Sequence, residues 1–61
     1  MNIDEVRMRI FKEAADTLLE ISRVYNLQGK FELAALAQKF AARHLHRYAA
    51  YTKRLRRQAI G

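Results

Sequence analysis

The 61-residue chain contains no cysteine and no proline, and its only glycines are Gly29 and Gly61. Without cysteine there is no disulfide framework, one of the usual supports of a domain too small for a large core. No run of about 18 apolar residues is present that would span a bilayer. The first residues are charged throughout and do not resemble the apolar stretch of a signal peptide. We therefore expect a cytoplasmic protein that needs self-association or a partner for stability.

Acidic residues are missing from the second half of the chain. Residues 33–61 contain seven Lys and Arg and no Asp or Glu, whereas all six acids lie in residues 1–32, and the net charge is +6. This uneven distribution of charge indicates the charge of a binding partner and says little about the fold. The second half is therefore predicted to face something negatively charged.

The apolar residues recur with a helical period on both sides of Gly29, which is the one internal interruption of the pattern. The sequence predicts an all-α fold, with helix one over about 3–27, a turn at about 28–30 and helix two over about 31–59. Asn2 or Asp4 is suited to cap helix one. We expect an antiparallel two-helix hairpin comprising residues 1–61 as one unit. Two alternatives stay open, a break near Thr52 and a kinked continuous helix through Gly29.

Helix one has more apolar surface than a second helix can cover. Its apolar sector spans roughly 220°, whereas packing on one neighbour needs only about 100°. The simplest solution is a two-fold homodimer that forms a four-helix bundle, and the alternative is docking on a different protein. The residues predicted for this oligomer or partner surface are Met8, Ile10, Phe11, Ala15, Leu18, Leu19, Phe40, His44, Tyr48 and Tyr51.

Helix two carries a basic ridge opposite its apolar half. We define the basic ridge as Lys39, Arg43, Arg47, Lys53, Arg54 and Arg57. A solubilising face normally mixes charges of both signs, so this single-sign ridge is predicted to bind an acidic protein. The alternative is nucleic-acid binding by the ridges of a dimer. A membrane surface is the weaker interpretation, because the apolar face that it requires is needed to cover helix one.

Residues for catalysis or metal binding are sparse. The chain has no Cys nucleophile and no Gly-rich phosphate loop, and its single Ser, Ser22, has no His within one helical turn in sequence. His44 and His46 project about 160° apart on a helix and cannot share one ion without another chain. We therefore expect no enzyme, no metal site and no cofactor. His44 falls among apolar residues and is predicted to be a hydrogen-bonded interface histidine.

Around the turn, the pattern of Leu18, Ile21, Ser22, Tyr25, Gly29, Phe31, Ala34 and Ala41 resembles one tetratricopeptide repeat. The resemblance covers residues 18–46. It departs from the repeat pattern at Gln38, where an aromatic or apolar residue is usual, and at His46, where the repeat's proline would stand. It implies a protein-binding hairpin that stacks on copies of itself or on a partner's helices. The function predicted from the sequence is thus a small non-enzymatic interaction or regulatory module.

Overall fold

The computed structural model describes residues 2–60, apart from the side chain of Ile60. It contains two helices, α1 (Ile3–Leu27) and α2 (Phe31–Ile60), which pack against each other. Contacts between Ser22 and Ala34 near the turn and between Met8 and Thr52 far from it show that the helices are antiparallel. The all-α hairpin is confirmed. Because α2 runs unbroken through Thr52, the predicted alternative of a break there is wrong.

The ends of α1 are capped by local sequence signals. The Asn2 side chain accepts a hydrogen bond of 2.9 Å from the backbone N–H of Asp4, which satisfies one of the free donors of the first turn. At the other end, Gly29 has φ +76°, a left-handed conformation that ends the helix. This conformation excludes a continuous helix through Gly29.

Two backbone hydrogen bonds close the turn. The N–H of Lys30 donates to the Tyr25 carbonyl at 2.8 Å, and that of Gly29 donates to the Asn26 carbonyl at 3.1 Å, which together form a Schellman motif. The Lys30 ammonium lies 6.0 Å from the centre of the Tyr25 ring. Phe31, the first residue of α2, is exposed.

The completely enclosed core consists of small side chains. Ala15, Ala34, Ala37 and Ala41 are 0–6% exposed, and the only other buried residue in the described chain is Ser22. The Ser22 hydroxyl donates to the Ala34 carbonyl at 3.0 Å, so this buried polar group is satisfied. Small side chains allow two helices to approach closely, but each buries little apolar area.

The hairpin is elongated and leaves much of its surface in solvent. Its principal extents are 49 × 17 × 11 Å. The accessible surface is 4952 Å², whereas a compact monomer of this mass would expose roughly 4,100 Å². Eleven large hydrophobic side chains are at least 39% exposed. Two helices alone therefore do not enclose the apolar surface of this sequence.

Candidate functional site

The side-chain contacts define two faces of the hairpin. On one, Phe11 lies within 5.6 Å of Tyr51, measured between ring centres, and Arg47 lies over Phe11. We call this the arginine face. On the other, the Thr52 hydroxyl oxygen lies 3.4 Å from the Met8 sulfur, and this is the methionine face. Residues separated by about 7, 11 or 18 positions return to the same side of a helix, which places other side chains on these faces.

Three arginines of α2 lie over aromatic rings on the arginine face. The guanidinium carbon of Arg43 lies 5.5 Å from the centre of the Phe40 ring. The corresponding distances are 5.7 Å from Arg47 to Phe11 and 5.3 Å from Arg54 to Tyr51. The electron-rich faces of the rings attract the cations at these distances. We call Arg43, Arg47 and Arg54 the arginine row.

Two shallow clefts, each containing an alanine, lie beside the members of the row. One cleft is lined by Arg47, Ala50, Tyr51 and Arg54. The other lies one to two turns nearer the hairpin turn, and its lining consists of Lys39, Ala42, Arg43, His46 and Arg47. Arg47 borders both clefts. Each cleft is therefore bordered by at least two basic side chains, and its small alanine side chain leaves room for an anion.

The charges of the two helices are organised differently. In α1, Lys12 pairs with Asp16 at 3.2 Å, and Arg23 pairs with Glu20 at 3.9 Å. Within residues 2–60 no basic side chain of α2 has a carboxylate within ion-pair distance. The cause lies in the sequence, since Glu32 is the only acid of α2. The basic charge of α2 is consequently available to an external anion.

The structure divides the predicted basic ridge into two groups. Arg43, Arg47 and Arg54 fold onto rings and contribute to the arginine face, so they are not opposite the apolar half as the sequence suggested. Lys53 and Arg57 are exposed and lie further round α2, on its outer side. Lys39 borders the first cleft. Two of the three ring contacts join residues three apart within α2, but the contact of Arg47 with Phe11 joins the two helices, and helical spacing alone could not reveal it.

The predicted apolar partner surface is corrected in part. Ala15 is completely buried between the helices and cannot contact a partner. Six of the predicted residues are half-buried in the described chain, and they are Met8, Phe11, Leu18, His44, Tyr48 and Tyr51. His44 and Tyr51 both stack on Phe11, so much of the ring surface of these residues is used within the hairpin. Ile10, Leu19 and Phe40 are exposed and remain available.

The predicted partner surface included Phe40 but missed two other exposed apolar residues of α2 toward the turn, Leu33 and Leu36. Leu33, Leu36 and Phe40 are 45%, 48% and 40% exposed. Leu36 precedes Arg47 and Arg54 by 11 and 18 positions, which places it on the arginine face with Phe40. On α1, Ile21 is also exposed, and it follows the half-buried Leu18 by one turn on this side. The spacing of three and four among Leu33, Leu36 and Phe40 was the signal that could have found them. We call Ile21, Leu33, Leu36 and Phe40 the apolar patch.

The half-buried His44 carries the one buried side-chain polar atom without a hydrogen-bond partner in the described chain. Its ring stacks on Phe11 with 5.9 Å between centres and 26° between planes. Its Nδ1 atom is buried and has no hydrogen-bond partner among residues 2–60. The prediction of a hydrogen-bonded interface histidine is therefore wrong for this nitrogen. An unpaired buried polar atom destabilises the fold by about 1–3 kcal/mol.

Within the described part of the chain, no group of three or more His, Asp or Glu side chains is placed to hold a metal ion. Neither helix, over the residues described, has a segment long and apolar enough to cross a membrane. No protein-family model, curated protein or solved structure matches this chain.

Proposed function

We propose that this chain is a small non-enzymatic interaction module of the cytoplasm that self-associates through its apolar patch and presents its basic helix to an acidic partner. The observation that carries the proposal is the combination of an enclosed core of small residues with eleven exposed large hydrophobic side chains. Burial of such side chains is the main driving force for association. A contiguous apolar patch of this kind typically marks an interaction site.

The area argument favours a second copy of the chain as the occupant. The hairpin exposes roughly 800 Å² more than a compact monomer of its mass, and about 800 Å² is what each partner buries in a standard interface. Two hairpins whose apolar patches face each other around a two-fold axis would form a four-helix bundle over their turn halves. The tetratricopeptide-like pattern around Gly29 is consistent with such stacking between hairpins.

The proposal is tested by measuring molecular mass over a range of protein concentrations. We expect the parent to be a dimer and Leu36→Asp to shift the equilibrium toward monomer, because it places a charge in the buried interface. Leu45→Asp is the matched control, since Leu45 is exposed but precedes Thr52 by seven positions and so lies on the methionine face. A folded parent that stays monomeric with a concentration-independent melting temperature contradicts self-association.

The second candidate function is nucleic-acid binding by α2. The observation that favours it is the absence of ion pairs along α2 within residues 2–60, together with a sequence pI of about 10.3. A basic stripe along one helix of a high-pI domain is the electrostatic footprint of nucleic-acid binders. The salt dependence of binding separates this function from the first, because affinity for a polyanion falls steeply with salt and apolar association does not.

A further inference from the structure

We infer that the arginine row, Arg43, Arg47 and Arg54, is the contact site for the phosphate backbone of a nucleic acid. The inference rests on the second proposed function and deepens it. It assigns the contact to three guanidinium groups out of the seven basic residues of the second half of the chain.

The aromatic rings hold the arginines in place before any ligand binds. Each guanidinium carbon lies 5.3–5.7 Å from the centre of a ring, and two of the three rings belong to the same helix one turn away. A side chain that is already ordered loses less conformational freedom on binding. A guanidinium group stacked on a ring keeps its N–H donors at its edge, where they can form paired hydrogen bonds with phosphate oxygens.

The spacing of the row suits a linear polyanion. Along α2, Arg47 lies about 6 Å beyond Arg43 and Arg54 about 10 Å beyond Arg47, from the rise of the helix. A strand of duplex DNA carries one phosphate per about 3.4 Å of helix axis, so the row spans about five phosphates. Regularly repeated anions are therefore presented to all three guanidinium groups at once.

The two clefts provide the contact points. An anion above Ala50 would lie between Arg47 and Arg54. An anion in the other cleft would have Lys39, Arg43 and Arg47 around it. Two basic groups on one anion strengthen the contact and orient it.

The chemistry of this face favours nucleic acid over an acidic protein. A protein partner draws much of its affinity from apolar contacts at the centre of an interface. Toward the open end, guanidinium groups lie over the half-buried rings of Phe11 and Tyr51, so this part of the surface offers cations and few free apolar side chains. The apolar patch lies nearer the turn on the same face and reaches the row at Phe40, beneath Arg43, so a dimer formed there would leave Arg47 and Arg54 at the open end accessible.

The test measures binding of a fluorescent 20-nucleotide single strand and a 20-base-pair duplex by anisotropy, at several salt concentrations. The variants are the triple Arg→Gln and the triple Arg→Lys at Arg43, Arg47 and Arg54. The matched control is Lys53→Gln, Arg56→Gln and Arg57→Gln, which removes the same charge from residues outside the row. Helix content and molecular mass confirm that every variant is folded and associated like the parent.

We expect the Gln triple in the row to weaken binding by at least tenfold and to reduce the logarithmic salt slope by about 2–3, one for each lost phosphate contact. The Lys triple should weaken binding about fivefold although the charge is kept, since lysine cannot form the paired hydrogen bonds. The control triple should have the smaller effect. Tighter binding of the single strand or of the duplex identifies which form the row prefers.

Three outcomes would overturn the inference. Equal losses from the row and control triples would show diffuse attraction, and nucleic-acid binding would survive without the assigned site. Poly-glutamate competing as well as an oligonucleotide of equal charge would assign the row to acidic proteins. A parent protein that binds neither oligonucleotide at low salt would remove the second proposed function together with this inference.

Discussion

At the turn end of the hairpin the helices are joined through small side chains, whereas at the open end aromatic rings lie between them. Near the turn, Ser22, Ala34 and Ala37 are enclosed, and larger residues such as Leu36 remain outside. At the open end, Phe11 and Tyr51 are half-buried, and arginines cover their outer faces. The comparison shows that two helices can lie in close contact without burying a large apolar area. The turn end leaves exposed apolar side chains that a partner can cover, and the open end leaves exposed arginines.

The strongest test of this comparison is to enlarge a small residue at the turn end. Ala34→Leu should destabilise the fold by about 1–3 kcal/mol, because the added atoms have no space between the helices. Ala35→Leu is the control, since Ala35 is exposed, and its effect should stay within about 0.5 kcal/mol. Urea denaturation at a fixed protein concentration measures both. Equal effects would mean that the small residues do not set the distance between the helices.

At the open end, the unpaired histidine nitrogen should limit stability. His44→Phe should stabilise the protein by about 1–2 kcal/mol, because it removes a buried polar atom without a partner and keeps a ring beside Phe11. His46→Phe is the control at an exposed position of the same helix and should change little. The free energies of unfolding decide the outcome. A loss of stability in His44→Phe would show that the nitrogen makes a contact that the ring stacking does not replace.

At the turn, substitution of Gly29 should change stability through backbone strain alone. Gly29→Ala should destabilise the hairpin by about 1 kcal/mol, because residues with a Cβ rarely adopt a φ of +76°. The added Cβ would meet no neighbouring side chain or backbone atom within 4 Å, so no steric clash adds to this backbone strain. In Gln28→Ala, where the backbone is in the right-handed helical region, the thermal midpoint should hardly move. Stabilisation by Gly29→Ala would indicate a helix that continues through the turn in solution.

The smallest expected changes in stability follow from removing single charges, and their direction should differ between the two helices. Lys12→Gln should lower stability by a few tenths of a kcal/mol, because it removes the exposed pair with Asp16. Arg56→Gln should leave stability unchanged or raise it slightly, because it reduces repulsion within α2. Both differences should shrink as salt is added, since exposed charges are screened. A clear loss in Arg56→Gln would reveal a stabilising partner for this arginine.

Local signals in the sequence determined the two helices and the turn between them. The apolar period, the absence of proline and the position of Gly29 act within a few residues of chain, so they could be interpreted without knowledge of distant contacts. The structure has α1 at Ile3–Leu27 and α2 at Phe31–Ile60, where the sequence predicted about 3–27 and about 31–59. The excess of positive charge in the second half is likewise a property of the sequence itself.

Only the tertiary structure decided which side of each helix is buried and which is exposed. Ala15 and Leu36 both belong to apolar stripes, yet one is enclosed and the other is open to solvent, because the rotation of each helix toward its partner selects the buried residues. The pairing of Arg47 with Phe11 joins residues 36 positions apart, which helical spacing cannot predict. Of the three arginine–ring contacts, only this one crosses the hairpin, because the packing of the two helices brings a ring of α1 beside a long side chain of α2.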